Sequence, residues 1–204
     1  MDNQRALKLV ASAAVVVMLM FPVMARAGFV ASECDAILGN LVLNCGFETG
    51  DFTDWTMTPA TVGSNFGVES IHVHTGTDDA FFMGRSIDLD SISQSIPTTP
   101  GAIYTVTFWL ANDENSDIFT ATFGATNLVS FFNMAPFDYT EYSQNVMATS
   151  VSTLLTFSGS APIDTLFLDD VSVVRASVPE PATLGLLLSA LAAFGVVRRR
   201  FQAV

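Results

Sequence analysis

The sequence predicts an all-β protein whose central part is a two-sheet sandwich, with an apolar helix at each end of the chain. The central segment lacks helical periodicity, and it shows instead short runs in which apolar and polar residues alternate. Gly, Pro, Asn and Asp separate these runs at a spacing of roughly ten residues, which favours about seven or more strands in two packed sheets. Apolar stretches near both termini predict the flanking helices.

Each alternating run predicts one strand. The predicted strands are NLVLNCGF, SISQSI, AIYTVTFWLA, DIFTATFG, LVSFFN, STLLTFSG and TLFLDDVSVV. In AIYTVTFWLA one face is apolar and comprises Tyr104, Val106, Phe108 and Leu110. Trp109 falls on the opposite face with two threonines, and the isoleucines of SISQSI likewise face away from its serines. The same alternation predicts that Phe167, Val171 and Val173 share one face of the last strand.

The N-terminus has the pattern of a signal peptide. Arg5 and Lys8 precede the apolar run 9–23, and residues 25–27 have the small-x-small form of a signal-peptidase site. We predict a signal peptide at 1–27, with cleavage after the last of these residues. The alternative interpretation is a retained N-terminal membrane helix.

The C-terminus carries a second apolar segment. Residues 178–181 form a stiff spacer, since proline fixes its own φ and restricts the residue before it. The uncharged stretch 182–197 spans about 24 Å as a helix, which is short of a hydrocarbon core of about 30 Å. Arg198, Arg199 and Arg200 then provide a cytoplasmic anchor by the positive-inside rule. The physical pattern alone favours a permanent single-span anchor.

The proline-glutamate-proline spacer, the short apolar helix and the terminal arginines together resemble the tail of PEP-CTERM proteins. The resemblance covers residues 178–204, and Pro179, Glu180 and Pro181 match the recognition motif of that family. It implies an exosortase-type membrane protease as partner, which removes the helix and passes the protein outward. The family occurs in bacteria that make exopolysaccharide, so the implied location is the inner membrane first and the cell surface or extracellular matrix afterwards.

The segment between the two ends is strongly acidic. Residues 28–177 contain two arginines, Arg85 and Arg175, no lysine, and 18 Asp and Glu residues, for a formal net charge of −16. Such a surface repels phosphate backbones, so nucleic-acid binding is excluded. It is compatible with solubility outside the cell, with divalent-cation binding and with contact to neutral sugars. Its length is normal for a single domain.

The sequence contains two cysteines, Cys34 and Cys45, and both lie in the exported part. An oxidising compartment favours one disulfide between them. Closing a loop of this length contributes about 2–3 kcal/mol by chain entropy. A metal or redox pair is disfavoured, because there is no C-x-x-C spacing and no nearby histidine. The bridge is expected to tie the N-terminal segment to the first strand.

The segments NLVLNCGFETGDFTDWT and FLDDVSV resemble the opening and closing segments of galactose-binding-like jelly rolls, which occur in many carbohydrate-binding modules. The resemblance implies a two-sheet jelly-roll sandwich over most of residues 40–175. It also implies a structural Ca²⁺ ion held by Glu48 and Asp170, with Asp51 and Asp169 near enough in sequence to assist. Carboxylate oxygens are the ligands that Ca²⁺ prefers. The alternative is that these residues are ordinary solvated acids.

His72 and His74 are the only histidines. On a strand they would share a face and could bind Zn²⁺ together with Asp78 or Asp79. In the resembling jelly rolls a histidine followed by a small residue and glycine forms a turn before the next strand, and HTGTDDAFFMG fits that pattern. The structural interpretation is favoured, since nothing in the sequence completes a zinc shell.

Exposed aromatic rings beside amides and carboxylates are the groups that bind sugars. Trp109 is the first candidate for glycan binding, because it lies opposite a row of core residues, and Asn112 and Asp113 follow it directly. Trp55 is a second candidate, although the resemblance treats it as part of the fold. The alternative is that both tryptophans are core residues. Tyr139 and Tyr142 could lie at a loop rim, and the sequence supports them no better than Trp55.

No nucleophile elbow, H-E-x-x-H motif, phosphate-binding loop or dinucleotide fingerprint occurs in the sequence, so we predict no catalytic residues. The predicted function is a non-catalytic, exported cell-surface or matrix protein that associates with extracellular polysaccharide, by direct glycan binding. Two alternatives remain open. One is a purely structural acidic protein that bridges calcium, and the less favoured one is a glycoside hydrolase, which needs two facing carboxylates.

Overall fold

A computed structural model describes residues 31–85, 88–113, 115, 118–163 and 165–177. The predicted signal peptide, the predicted transmembrane helix and the arginine cluster fall outside the described residues. The same holds for the motif at Pro179, Glu180 and Pro181. In the part of the chain that the structure describes, we find no helix with the length and apolar character needed to cross a membrane.

The described residues form ten strands in two five-stranded sheets. The strands are β1 Thr56–Thr58, β2 Phe66–Glu69, β3 Asp79–Phe82, β4 Asp90–Pro97, β5 Ile103–Asn112, β6 Ile118–Phe123, β7 Thr126–Phe132, β8 Phe137–Met147, β9 Ser152–Ser160 and β10 Leu166–Arg175. Sheet I has the strand order β1-β4-β9-β6-β7, and sheet II has the order β2-β3-β10-β5-β8. All neighbouring strands pair antiparallel. This architecture confirms the predicted all-β sandwich.

The core lies between the two sheets and is rich in phenylalanine. Its large, fully buried side chains include Phe47, Phe82, Phe108, Phe119, Phe157, Ile92, Ile96, Leu110 and Leu155. The predicted alternation holds in β4 and β5, where every second residue is buried. Because successive side chains point to opposite faces of a strand, this pattern leaves each sheet with a separate outer face.

A β-bulge interrupts the alternation of β10. The register shifts between Asp169 and Ser172, and Asp170 has a φ of 48°. A bulge inserts an extra residue into one strand, so the alternation changes phase across it. The core residues of β10 on both sides of the bulge are Leu166, Leu168, Val171 and Val173. The prediction that Phe167 shares their face is therefore wrong. Phe167 lies on the outer face of sheet II, where the ring of His72 covers it at a centroid distance of 4.4 Å.

The first predicted strand, NLVLNCGF, is not a strand in the structure. This segment turns repeatedly, with positive φ at Asn44 and Phe47, and it runs beside β10 through a hydrogen bond from the Val171 amide to the Cys45 carbonyl. The expected disulfide between Cys34 and Cys45 is present. It links this irregular segment, rather than a strand, to the short 3₁₀ helix Glu33–Ala36.

Strand β8 was missed in the sequence, although it is eleven residues long. Its burial alternates only weakly, because most of it faces solvent at the edge of sheet II. The expectation that Tyr139 and Tyr142 lie at a loop rim is therefore wrong, since both lie within β8. Tyr142 packs against the core side of the sheet, with its ring 5.5 Å from that of Phe108. Tyr139 lies on the outer side.

Candidate functional site

The connection between β2 and β3 lies against the outer face of sheet II. We call this connection, residues 70–78, the histidine loop. It contains bends but no regular structure, and Gly76 adopts a φ of 82° that other residues rarely adopt. A Cβ atom at this position would lie 1.9 Å from Oε1 of Glu48, so the close approach of the loop to that carboxylate requires glycine.

His74 connects the histidine loop to the centre of sheet II. Its ring stacks on Trp109 at a centroid distance of 3.9 Å, and its Nδ1 donates to Oδ2 of Asp170 over 2.7 Å. Thr75 donates its hydroxyl to the same Oδ2 at 2.5 Å. The backbone amides of both loop residues donate to Oδ2 of Asp169. The bulge in β10 thus presents two adjacent carboxylates to one loop.

Glu48 holds the other end of the histidine loop. Its carboxylate accepts hydrogen bonds from the backbone amides of Thr77 and Asp78, and from the hydroxyl of Thr77 at 2.6 Å. The oxygens of Glu48 and Asp170 therefore bind neighbouring residues of one loop. Glu48 does not join the compact donor group, which comprises His74, Asp169 and Asp170 with ligand atoms within 4.8 Å of one another.

Two buried carboxyl groups lie beneath the loop. Burial raises the pKa of Asp79 to about 7, against the lowering effect of a 2.9 Å hydrogen bond from the Tyr139 hydroxyl. Burial, together with the charge of Asp170, raises the pKa of Asp169 to about 8. Oδ1 of Asp79 has no hydrogen-bond partner among the described residues. Burial also raises the pKa of Tyr139, which keeps its hydroxyl protonated as a donor.

A cavity of about 350 Å³ opens beside the histidine loop on the same outer face. Its lining residues are His72, Val73, Ala111, Asp113, Phe137, Asp138, Tyr139 and Phe167. A second cavity of about 230 Å³ shares Asp113, Phe137 and Asp138 with the first. Four of the lining side chains are aromatic rings and two are carboxylates. The volume lies within the range of about 300–1,000 Å³ that is typical of small-ligand sites.

The structure places the residues predicted for glycan binding in different environments. Trp109 lies on the outer face as the alternation predicts, but His74 covers one side of its ring. Asn112 is only 2% exposed, and its side-chain amide points to the carbonyls of Met134 and Ala135 over 3.5 Å. Asp113, which follows it, does line the cavity.

The remaining candidate residues lie in environments that indicate structural roles. Trp55 is buried, and its Nε1 donates to the carbonyl of Asn44. Asp51 lies in solvent, where hydrogen bonds from Thr53 lower its pKa. His72 is half-exposed and is not part of the compact donor group, so the two histidines do not pair as metal ligands within it. As favoured from the sequence, they belong to a turn before β3.

Sequence reasoning missed the cavity residues Phe137 and Asp138 of β8, and it considered Tyr139 only as a loop residue. Phe137, Asp138 and Tyr139 come from a strand that was not recognised, and they meet Phe167 only because the bulge and the strand order bring β10, β5 and β8 together. The signal that could have identified the strand was the enrichment of FDYTEY in aromatic residues and threonine, which favour strands.

Comparison with known proteins identifies the tail and the fold. Residues 177–200 match the PEP-CTERM protein-sorting motif. Such a motif implies an exported protein that is anchored in a membrane before processing. No curated protein matches the sequence.

Among the solved structures that share the fold are the following three. TmCBM61, in complex with β-1,4-galactotriose, is 21% identical with a TM-score of 0.52, and the match covers 67% of this chain and 99% of that one. The enzymatically active domain of tailspike protein 4 from bacteriophage CBA120 is 12% identical with a TM-score of 0.54, over 67% and 21% of the two chains. A Clostridium thermocellum xylanase 10B structure with a CBM22-1 module and xylohexaose is 15% identical with a TM-score of 0.53, over 69% and 29%.

This chain thus spans 21% and 29% of the length of the tailspike and xylanase chains. At these identities the matches show the fold alone. The chain therefore carries a PEP-CTERM sorting motif behind a jelly-roll sandwich of the kind found in carbohydrate-binding modules.

Proposed function

We propose that this protein is a non-catalytic glycan-binding protein of the cell surface or extracellular matrix, exported and sorted through its C-terminal motif. The observation that carries the proposal is the cavity on the outer face of sheet II, which combines four aromatic rings with two carboxylates. Aromatic faces pack against the apolar faces of sugars, and carboxylates accept hydrogen bonds from their hydroxyl groups. The relatives by fold that were solved with galactotriose and xylohexaose support the same class of ligand.

Phe137, which also packs against the core, and Tyr139 are half-buried at the cavity wall, and we assign the stacking surface to the exposed parts of their rings. Asp113 and Asp138 are exposed and supply the acceptors. Trp109 lines neither cavity, so a sugar contact through the part of its ring that His74 leaves uncovered would lie outside the cavity. Asn112 lines the smaller cavity but is only 2% exposed, and its amide contacts the connection between β7 and β8.

The charge of the domain defines the class of glycan. Residues 28–177 carry a formal net charge of −16. A polymer rich in uronic acids or phosphates is repelled by this field, and the repulsion falls as salt is added. The proposed ligand is therefore a neutral exopolysaccharide.

The tail delivers the protein to that polysaccharide. Pro179, Glu180 and Pro181 are the proposed recognition motif for an exosortase-type protease, and Arg198, Arg199 and Arg200 are the proposed cytoplasmic anchor in the inner membrane. Cleavage then releases the sandwich to the outside. A permanent anchor is the competing outcome, which the mass of the mature protein distinguishes.

A structural Ca²⁺ ion remains part of the proposal. Its donors would be the carboxylates of Glu48 and Asp170 with the hydroxyls of Thr75 and Thr77, all of which are hard oxygen atoms. The ion would neutralise carboxylates that otherwise repel one another, and it would fix the histidine loop over sheet II.

The test is binding of the full-length protein, purified in detergent, to the exopolysaccharide of its host and to a panel of neutral and acidic glycans. The double variant Asp113→Asn/Asp138→Asn should weaken neutral-glycan binding about tenfold or more. The matched control, Asp51→Asn/Asp88→Asn, changes the charge equally at acids that do not line the cavity, and it should bind normally. Equal binding by both variants would move the glycan site elsewhere, and no binding by the wild-type protein would favour a purely structural role.

A further inference from the structure

The outer face of sheet I carries two rows of hydroxyl groups that cross all five strands. The first row follows the strand register through Thr58, Ser91, Ser158, Thr120 and Ser130. The second row follows it through Thr56, Ser93, Thr156, Thr122 and Asn127. We call these ten residues the hydroxyl face. Nine of them are serine or threonine, and the tenth is an amide.

These residues come from five separate strands, so it is only the register of strand pairing that aligns them in rows. In β4, β6 and β9 each of them alternates with a buried residue, which places them outward. Neighbouring strands lie about 4.8 Å apart, and alternate residues on one strand lie about 6.6 Å apart. The hydroxyl face therefore repeats polar groups at a regular spacing in two directions.

The hydroxyl face contains no charged residue. This is unusual within a segment of net charge −16, in which the outer face of sheet II includes Asp169 and Glu141 on either side of Trp109. Four members of the hydroxyl face are exposed, and the six on the central strands β4, β6 and β9 are half-buried. The uncharged patch is thus an open surface in the described part of the chain.

The chemistry of the hydroxyl face excludes most classes of binding partner. Without carboxylates it holds no cation, and without basic residues it attracts neither nucleic acid nor anionic lipid. The exposed side chains of Phe132 and Leu154 flank the hydroxyl face on the same side of sheet I. Interfaces between proteins are depleted in serine and enriched in aromatic residues, so the hydroxyl rows themselves are a poor match for a protein partner. Hydroxyl groups both donate and accept, and therefore they can exchange hydrogen bonds with the hydroxyl groups of a neutral polymer.

Each such exchange is weak, because it replaces hydrogen bonds to water, with a net contribution of about 0.5–1.5 kcal/mol. A partner must therefore repeat its own hydroxyl groups along an extended length, so that several contacts form together. The 2.8 Å hydrogen bond between the hydroxyls of Ser91 and Ser158 orients two members of one row in advance. An extended neutral polysaccharide meets both requirements.

We propose that the hydroxyl face is a second polysaccharide-contact surface, which takes an extended neutral polysaccharide across the strands of sheet I. It lies on the opposite side of the sandwich from the cavity of sheet II. One domain with both surfaces bridges two polysaccharide chains. The inference is independent of the cavity, because it rests on different residues of a different sheet.

The experiment measures sedimentation of the full-length protein in detergent with microcrystalline cellulose and with insoluble β-1,3-glucan. The background is the cavity variant Asp113→Asn/Asp138→Asn, so that any remaining binding belongs to another surface. Adding Thr156→Glu to this background places an unpaired charge at the centre of the hydroxyl face and should reduce binding to one of these polymers about tenfold or more. Adding Thr107→Glu instead changes a threonine on the outer face of sheet II, and binding should be unchanged.

A milder double variant and a conservative single variant control for misfolding caused by the introduced glutamate. Thr156→Ala/Ser158→Ala removes two hydroxyls without adding charge and should also reduce binding, whereas Thr156→Ser should retain it. Unchanged binding by the glutamate and alanine variants would overturn the proposal, and so would failure of the cavity variant to bind either polymer. Concentration-dependent dimers that Thr156→Glu abolishes, measured by sedimentation velocity, would assign the face to a second copy of this chain and would also overturn it.

Discussion

The outer faces of sheet I and sheet II differ in their chemistry, although each is the solvent side of a five-stranded antiparallel sheet. Sheet II carries buried carboxylates, aromatic rings and a cavity, and a loop held by Glu48 and Asp170 lies against it. Sheet I carries two rows of uncharged hydroxyl groups. The inner faces are alike, because both must fill one phenylalanine-rich core. Because the core constrains only alternate residues of each strand, each outer face is free to acquire its own chemistry.

The largest effect on stability is expected from a substitution in the core that both sheets share. Phe157 is fully buried, and its ring contacts those of Trp55, Phe108 and Phe119. Phe157→Ala should lower the free energy of unfolding by about 3–5 kcal/mol, since it leaves a cavity between the sheets. Denaturant unfolding measures this, and both glycan-binding surfaces should be lost together. Phe132→Ala, at a residue that is 72% exposed, is the control and should change stability little. A small effect of Phe157→Ala would mean that the sheets do not share one core.

The pH dependence of stability should come from sheet II. The pKa of Asp79 is raised by burial from 3.8 to about 7, so its ionisation opposes folding. Its contribution is fully favourable below pH 4 and is lost as the pH rises through 7, with a slope of about 1 kcal/mol per pH unit between these limits. Asp79→Asn should therefore stabilise the protein at pH 8 and reduce this slope.

Thermal unfolding in EDTA between pH 4 and pH 8 measures the effect. Asp169, whose pKa is raised to about 8, should leave part of the slope in the Asp79→Asn variant. The control is Asp51→Asn, because Asp51 lies in solvent and its pKa is lowered rather than raised. If Asp79→Asn and the wild-type protein show the same slope, Asp79 is ionised at neutral pH in the folded state.

Calcium should stabilise the side of the molecule that bears the histidine loop. At a free concentration a hundredfold above its Kd, a bound ion adds about 2.7 kcal/mol to the free energy of unfolding. EDTA should therefore lower the melting temperature of the wild-type protein, and Glu48→Gln should already show the lower value. A melting curve that EDTA leaves unmoved removes the ion from the proposal.

The smallest expected effect on stability belongs to a variant of the hydroxyl face. Thr156→Ala/Ser158→Ala should lower the free energy of unfolding by only about 0.5–1.5 kcal/mol, because it removes the hydrogen bond between Ser91 and Ser158 at a half-buried surface. The same variant should weaken binding to neutral polysaccharide. Loss of stability without loss of binding would show that the hydroxyl rows are there to hold the sheet and not to contact a ligand.

Much of the sandwich was predictable, and the reasons are local. The alternation in β4 and β5 predicted which side chains are buried, and it placed Trp109 on an outer face. The prediction failed at Phe167, where the bulge changes the phase of β10, and in residues 40–47, where turns replace the expected strand. A bulge depends on the partner strand, so it leaves no clear periodic signal in its own sequence.

The sequence by itself determined the sorting motif, the acidic charge, the disulfide partners and the strands with strong alternation, since each depends on residues that are near in the chain or simply counted. Only the tertiary structure decided that His74 stacks on Trp109, that Asn112 is buried, and that the hydroxyls of five strands form continuous rows. These features depend on strand order and register, and both are chosen by the packing of distant segments against one core.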